Sequence, residues 1–157
     1  MLDYTTDSLQ LEEYANKLQL PLIEVLSKDE LVGRPRAGAY IINLEDSDKG
    51  GSHWVLLMVF PNKECIYFDP FGVPPPENVK AFIKNQIAMS NRDIQDMNAT
   101  TCGYWCLACC HYMTFHKKRP VYERFDDFLN MFKEDTKKND RLLLGYLKSN
   151  GLNVKPN

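Results

Sequence analysis

The chain has 157 residues, 44% of them hydrophobic and 25% charged, and its 19 Lys and Arg against 21 Asp and Glu leave a net charge of −2. That is an ordinary globular composition in one domain, residues 1–157, with room for a true core. The near-balanced charge excludes a global positive field that would commit the chain to nucleic acid.

No apolar run approaches the roughly 20 residues that span a bilayer. The opening MLDYTTDSLQLEEY is acidic and amphipathic and lacks the basic-then-apolar order of a signal peptide. No membrane partner is expected. The five cysteines are odd in number and clustered, which argues against a disulfide framework and for a reducing compartment.

In chain order, Asp7 to Leu18 carries Leu9, Leu11, Tyr14, Ala15 and Leu18 at helical spacing, with Asp7 or Ser8 as a cap and Pro21 limiting any continuation. Asp29 to Gly38 contains Gly33, Pro35 and Gly38 and reads as a loop. Ala39 to Leu44 is a short β-branched run, followed by the polar loop EDSDKGGS. Trp54 to Phe60 is continuously apolar, which suits a strand covered on both faces. Cys65 to Phe68 follows after the Pro61–Glu64 turn, so the two pair as an antiparallel hairpin. Asp69-Pro-Phe-Gly-Val-Pro-Pro-Pro76 cannot extend a strand and is an exit loop. Helices are expected over Glu77–Met89, Cys102–Phe115, Phe125–Phe132 and Leu142–Leu147. Strands come early and helices surround them, with no repeat or internal linker, so the fold class is α+β.

Four cysteines fall in DMNATTCGYWCLACC. Cys106, Cys109 and Cys110 form a CxxCC pattern, but no second ligand pair with zinc-ribbon spacing exists, so no metal is expected. Cys106 lies a full turn inside the helix, which a thioredoxin-type motif does not allow. These three read as small apolar core residues. Cys102 differs. It follows Asn98-Ala-Thr-Thr, precedes Gly103, and occupies the first helical turn, where unpaired N–H groups and the helix dipole favour an anion. It is either a nucleophile or a cysteine that merely begins a buried helix.

A cysteine hydrolase needs a base, a group that orients the base, and an oxyanion donor. His111 and His116 follow on the same helix, roughly 13–21 Å from Cys102 by helical rise, out of reach. His53 remains, at the junction of the GGS loop and the buried strand; it is a base or a plain surface histidine. Asp69 ends the neighbouring strand, at the same end of the hairpin as His53, and can fix the tautomer of the imidazole; alone it is a common turn-starting Asp-Pro. Gln95 offers a side-chain amide.

Together these residues look like a family. The order His53, Asp69, Gln95, Cys102 resembles the adenovirus-type maturation cysteine proteases (adenain) and, more distantly, the Ulp-type SUMO proteases. The stretches IINLEDSDKGGSHWVLLMVFPNKECIYFDPFG and QDMNATTCGYWCLACC carry the match, with weaker similarity over the first forty residues and over NDRLLLGYLKSN. The resemblance implies a papain-like fold with permuted catalytic elements, a central mixed sheet flanked by helices, and the catalytic cysteine at the N-terminus of a buried helix. It implies Cys102 as nucleophile, His53 as base and acid, Asp69 orienting His53, and Gln95 with the Cys102 backbone N–H as oxyanion hole. Trp54, Gly51, Ser52 and Gly103 are expected to line the substrate site.

The function so implied is a viral cysteine endopeptidase, as in virophages, that cuts capsid and virion precursors at glycine-containing motifs; the alternative is a ubiquitin-like-modifier isopeptidase. The protein is expected to be a monomer working in the host cytoplasm, the viral factory and the virion interior. Adenain uses DNA and a cysteine-linked activating peptide. Here the acid is Asp69 where adenain has glutamate, and no cysteine lies between Cys65 and Cys102. Basic residues are local (Lys117, Lys118, Arg119; Lys137, Lys138, Arg141), so no cofactor is required by charge or by cysteine placement, and DNA binding is at most weak.

Overall fold

The computed structural model describes residues 2–45, 53–84, 87–90 and 92–157. Helix α1 (Ser8–Lys17) begins at Asp7, whose side chain accepts from the Gln10 N–H while the Gln10 side chain accepts from the Asp7 N–H, a reciprocal capping box. Strands β1 (Leu22–Ser27), β2 (Gly38–Asn43), β3 (Trp54–Val59) and β4 (Cys65–Phe68) follow, then α2 (Glu77–Ile83), β5 (Ile87–Met89), α3 (Cys102–Phe115), α4 (Val121–Leu129) and α5 (Asn139–Ser149). The architecture is α+β around a five-stranded mixed sheet of order β1-β2-β3-β4-β5. Outer pairs β1–β2 and β4–β5 are parallel, and β2–β3 and β3–β4 are antiparallel.

Strand β3 is buried along its whole length. Trp54, Leu56 and Met58 face a large core shared with α1, α3, α4 and α5, while Val55, Leu57 and Val59 face a smaller core closed by α2. A strand covered on both faces gains nothing from alternation, which is why WVLLMVF shows none. Helix α3 is buried continuously from Cys102 to Cys110, so it too carries no polar stripe. At its far end the buried Arg124 side chain donates to the Met113 and Arg119 carbonyls, a cation set against a helix C-terminus.

The last helix runs longer than Leu142–Leu147, as α5 (Asn139–Ser149), and the structure departs further from the sequence expectation in three places. The helix expected over Glu77–Met89 stops at Ile83, where Lys84 turns left-handed (φ 59°), and Ile87–Met89 becomes an edge strand beside β4. Ile87 packs on the small core and Ala88 on the large one, an alternation with period two that three residues are too few to announce. Strand β1 was not expected at all; its Val25 and Leu26 likewise point to opposite cores. Helix α4 starts earlier than Phe125 because Pro120 sets its entry, and Phe132 stays buried beyond its end.

Leu56 is wholly buried at the centre of β3. Leu56→Ala is expected to lower unfolding free energy by about 2–5 kcal/mol in chemical denaturation; a loss below about 1 kcal/mol would contradict this account of the core.

Candidate active site

His53 precedes β3 and Asp69 follows β4, so the β3–β4 register brings both to one end of the hairpin. The His53 Nε2 atom lies 3.0 Å from Asp69 Oδ1. The other ring nitrogen is thereby left for Cys102, to which the His53 side chain is also hydrogen-bonded. The backbone N–H of Trp54 donates to Cys102 Sγ at 3.4 Å. The sulfur thus meets a base and a main-chain donor at the head of α3.

Asp69 is held from several sides. It is 1% exposed. Its Oδ1 accepts from the Phe71 N–H at 2.8 Å, and the Ser90 hydroxyl bridges its backbone N–H and carbonyl. The Phe71 ring stacks on His53, with centroids 4.9 Å apart and planes 20° from parallel. Asp69, Phe71 and stacked His53 therefore form one rigid unit, with Gly72 (φ 74°) closing the turn through its N–H to the Asp69 carbonyl.

Electrostatics follow from this packing. Burial works against the charged imidazole. The hydrogen bonds to Asp69 and Cys102, with the charges of both, outweigh it and push the His53 pKa from 6.5 up to about 9. The folded state holds this proton more tightly than the unfolded chain does. The contribution to stability is therefore full below about pH 6.5 and is lost as pH rises through about 9. Cys106, Cys109 and Cys110 lie deep in the core, and burial raises each thiol well above its ordinary value. Thiols so placed are poor nucleophiles.

Gln95 is 1% exposed and is tied to the same loop, its backbone N–H and that of Ile94 both reaching the Pro70 carbonyl. One N–H of its Nε2 goes to the Ala99 carbonyl at 3.0 Å; the second hydrogen of that amide has no acceptor among the described residues. Among the described residues, Gln95 Oε1 and Asp69 Oδ2 are buried without a hydrogen-bond partner.

The remaining expected residues divide. Trp54 is buried, and its indole N–H donates to the Thr6 carbonyl at 3.1 Å. The open side of Gly103 is filled from the N-terminal segment: a methyl group there would lie 2.2 Å from Thr6 Oγ1 and 3.1 Å from Leu11. Thr6 thus packs directly against Gly103. Gly51 and Ser52 lie outside the described residues. Thr101 does not cap α3; its hydroxyl and the Trp105 indole both donate to Asp140 on α5. His111 bonds to Tyr146, away from the sulfur. Among the described residues no group of three His, Cys, Asp or Glu is arranged to hold a metal ion, and no helix is long and apolar enough to cross a membrane.

Phe71, Ser90 and Thr6 were not singled out in the sequence. Phe71 alone had a signal, since it falls inside the Asp-Pro-Phe-Gly turn. Ser90 and Thr6 act through contacts 21 and 48 residues away, which no local pattern encodes.

No protein-family model matches the chain. Its sequence is 26% identical over 98 residues to a protein named Protease from Bovine adenovirus 2, a match covering 52% of this chain and 48% of that protein. The chain therefore spans about half the length of the curated relative it matches. Among solved structures, the central domain of the uncharacterized Lpg1148 protein from Legionella pneumophila has a TM-score of 0.52 at 13% identity, over 93% of this chain and 96% of that one; the likeness is one of fold. The ASFV pS273R protease gives a TM-score of 0.42 at 19% identity, over 77% of this chain and 62% of that one, a likeness too loose to carry an argument.

Two outcomes test this geometry. Histidine NMR is expected to show His53 still protonated at neutral pH, releasing its proton near pH 9, and Asp69→Asn to lower that value because burial then prevails; titration at or below 6.5 in the unsubstituted protein would contradict the pairing. Gly72→Ala is expected to cost more than Gly33→Ala in denaturant unfolding. Both glycines are left-handed, a strain of about 1–2 kcal/mol for any other residue, but only at Gly72 does a methyl group meet backbone, 2.8 Å from Arg92. Equal costs would show that the loop gives way.

Proposed function

We propose that this chain, which resembles the adenovirus-type proteases, is a cysteine endopeptidase that processes capsid and virion precursor polypeptides at glycine-containing sites. The observation that carries the reading is the convergence of Cys102, His53 and Asp69 from three separate elements. Support for protein as the substrate comes from the named relative. The papain-like arrangement, with the nucleophile at the head of a buried helix, belongs to the same proposal, as does the virion and infected cell as its place of work.

In this reading the proton of the Cys102–His53 pair already rests on His53 before substrate arrives, and the imidazolium is held by Asp69. The thiolate attacks the scissile carbonyl carbon. The second N–H of Gln95 Nε2 and the backbone N–H of Cys102 take the negative charge that develops on the carbonyl oxygen. His53 then protonates the departing amine, leaving a thioester on Cys102. A water molecule, deprotonated by His53, hydrolyses the thioester and restores the thiol. Asp69 keeps one tautomer and one orientation of His53, and the stacked Phe71 ring restricts the remaining rotation.

Co-expression with a capsid precursor from the same genome, read by intact mass, tests the proposal. A specific truncation is expected with the unsubstituted enzyme. Cys102→Ala is expected to reduce it at least about a thousandfold without unfolding the protein, whereas Cys109→Ala is expected to lose stability and keep cleavage. Equal loss of cleavage in both variants, with both folded, would remove the single-nucleophile assignment.

A further inference from the structure

On the side of β3 away from Asp69, the ends of β1 and β2 and the start of α1 enclose a depression of about 440 Å³. Asp7, Ser8, Ser27, Glu30, Asn43 and Trp54 form much of its wall. Trp54 joins it to the catalytic group, since its backbone N–H is the one that meets Cys102 Sγ. Asn43 is the cross-strand partner of Trp54.

Two independent features mark this depression as built to receive a ligand. The first is Asn43, which is only 5% exposed. Its Oδ1 accepts from the Glu45 N–H at 2.9 Å, while its amide nitrogen has no acceptor among the described residues. A buried amide that keeps its donors open to a cleft suits a peptide carbonyl. The second is charge. Asp7 Oδ1 is engaged by the Gln10 N–H and Glu30 Oε1 by the Ser27 N–H. Backbone donors fix both carboxylates without neutralising them, and neither forms an ion pair with a described residue. Among the described residues, no lysine or arginine lines the depression.

We propose that this depression is a substrate subsite that takes a lysine or arginine side chain of the polypeptide, with Asn43 holding a carbonyl of the same segment. The inference rests on the endopeptidase reading, because it places a polypeptide across Cys102. Strands lie about 4.8 Å apart, so crossing from β3 to β1 covers roughly 10 Å, or about three residues of extended chain. The basic residue therefore falls within two to four positions of the scissile bond. Reach and sign of charge, together with a fixed amide donor, select a cationic side chain over an acidic one.

The test uses Cys102→Ala protein, which holds peptide without turning it over, and fluorescence anisotropy. The probes are labelled peptides with a central glycine pair and Arg, Gln or Glu at each of the second to fourth positions on either side. At one position the Arg peptide is expected to bind about 3- to 10-fold tighter than the Gln peptide, the size two surface charges supply, with Glu weaker still. Adding Asp7→Asn and Glu30→Gln, which keep both backbone acceptors, is expected to bring the Arg-to-Gln ratio to about one. A ratio near one at every position, a ratio that survives the double substitution, or binding by none of the peptides overturns the subsite. Cleavage of the peptides by unsubstituted enzyme separates this failure from that of the parent reading. Cleavage without basic preference removes only the subsite, whereas basic preference in binding without cleavage removes only the endopeptidase.

Discussion

Helix α3 is buried from Cys102 through Cys110 and lies against β3, so helix and strand shift only together. That packing fixes the sulfur. The first residue of the helix arrives beside the first residue of the strand, close enough for the Trp54 N–H to reach Cys102 Sγ. His53 immediately precedes the same strand, and Asp69 lies one residue past the next strand in register. Cys102, His53 and Asp69 are thereby set by the stiffest part of the molecule, where side chains sit close-packed with little freedom to drift. Loops supply only Gln95 and the turn after Asp69, and both are stitched to each other through the Pro70 carbonyl.

The same burial creates an electrostatic conflict. Low-dielectric surroundings disfavour the imidazolium, and on their own would lower the affinity of His53 for a proton. The hydrogen bonds and charges of Asp69 and Cys102 reverse the outcome. The geometry around Asp69 shows what this requires. A Phe71 N–H and the Ser90 hydroxyl hold the carboxylate and its backbone, and the aromatic face of Phe71 lies flat on the imidazole. For Cys106, Cys109 and Cys110, burial acts without a basic partner and raises the thiols.

Much of this was legible in the sequence for particular reasons. The WVLLMVF run is long, apolar and bounded by turns, so a doubly covered strand was the natural reading, and the hairpin followed from the short Pro61–Glu64 connection. Helix α3 was bounded correctly because its polar lead-in and apolar body contrast sharply. The short elements were not legible. Strand β5 is three residues long and takes its identity from pairing with β4, and β1 is an edge strand of mixed polarity paired in parallel with β2. At the site, the residues on hairpin ends could be placed by register alone. Thr6, Ser90 and Asn43 could not, because their importance lies in contacts across the fold.

The central claim is that Cys102, activated by His53 and held beside an oxyanion hole, attacks a carbonyl-type electrophile. The most direct measurement is reaction of the folded protein with a glycine-terminated peptide vinyl sulfone, followed by peptide mapping of the adduct. The account predicts one adduct, on Cys102, with the rate falling sharply in His53→Ala. Adducts distributed over Cys106, Cys109 and Cys110, or a rate on Cys102 unaffected by loss of His53, would contradict it.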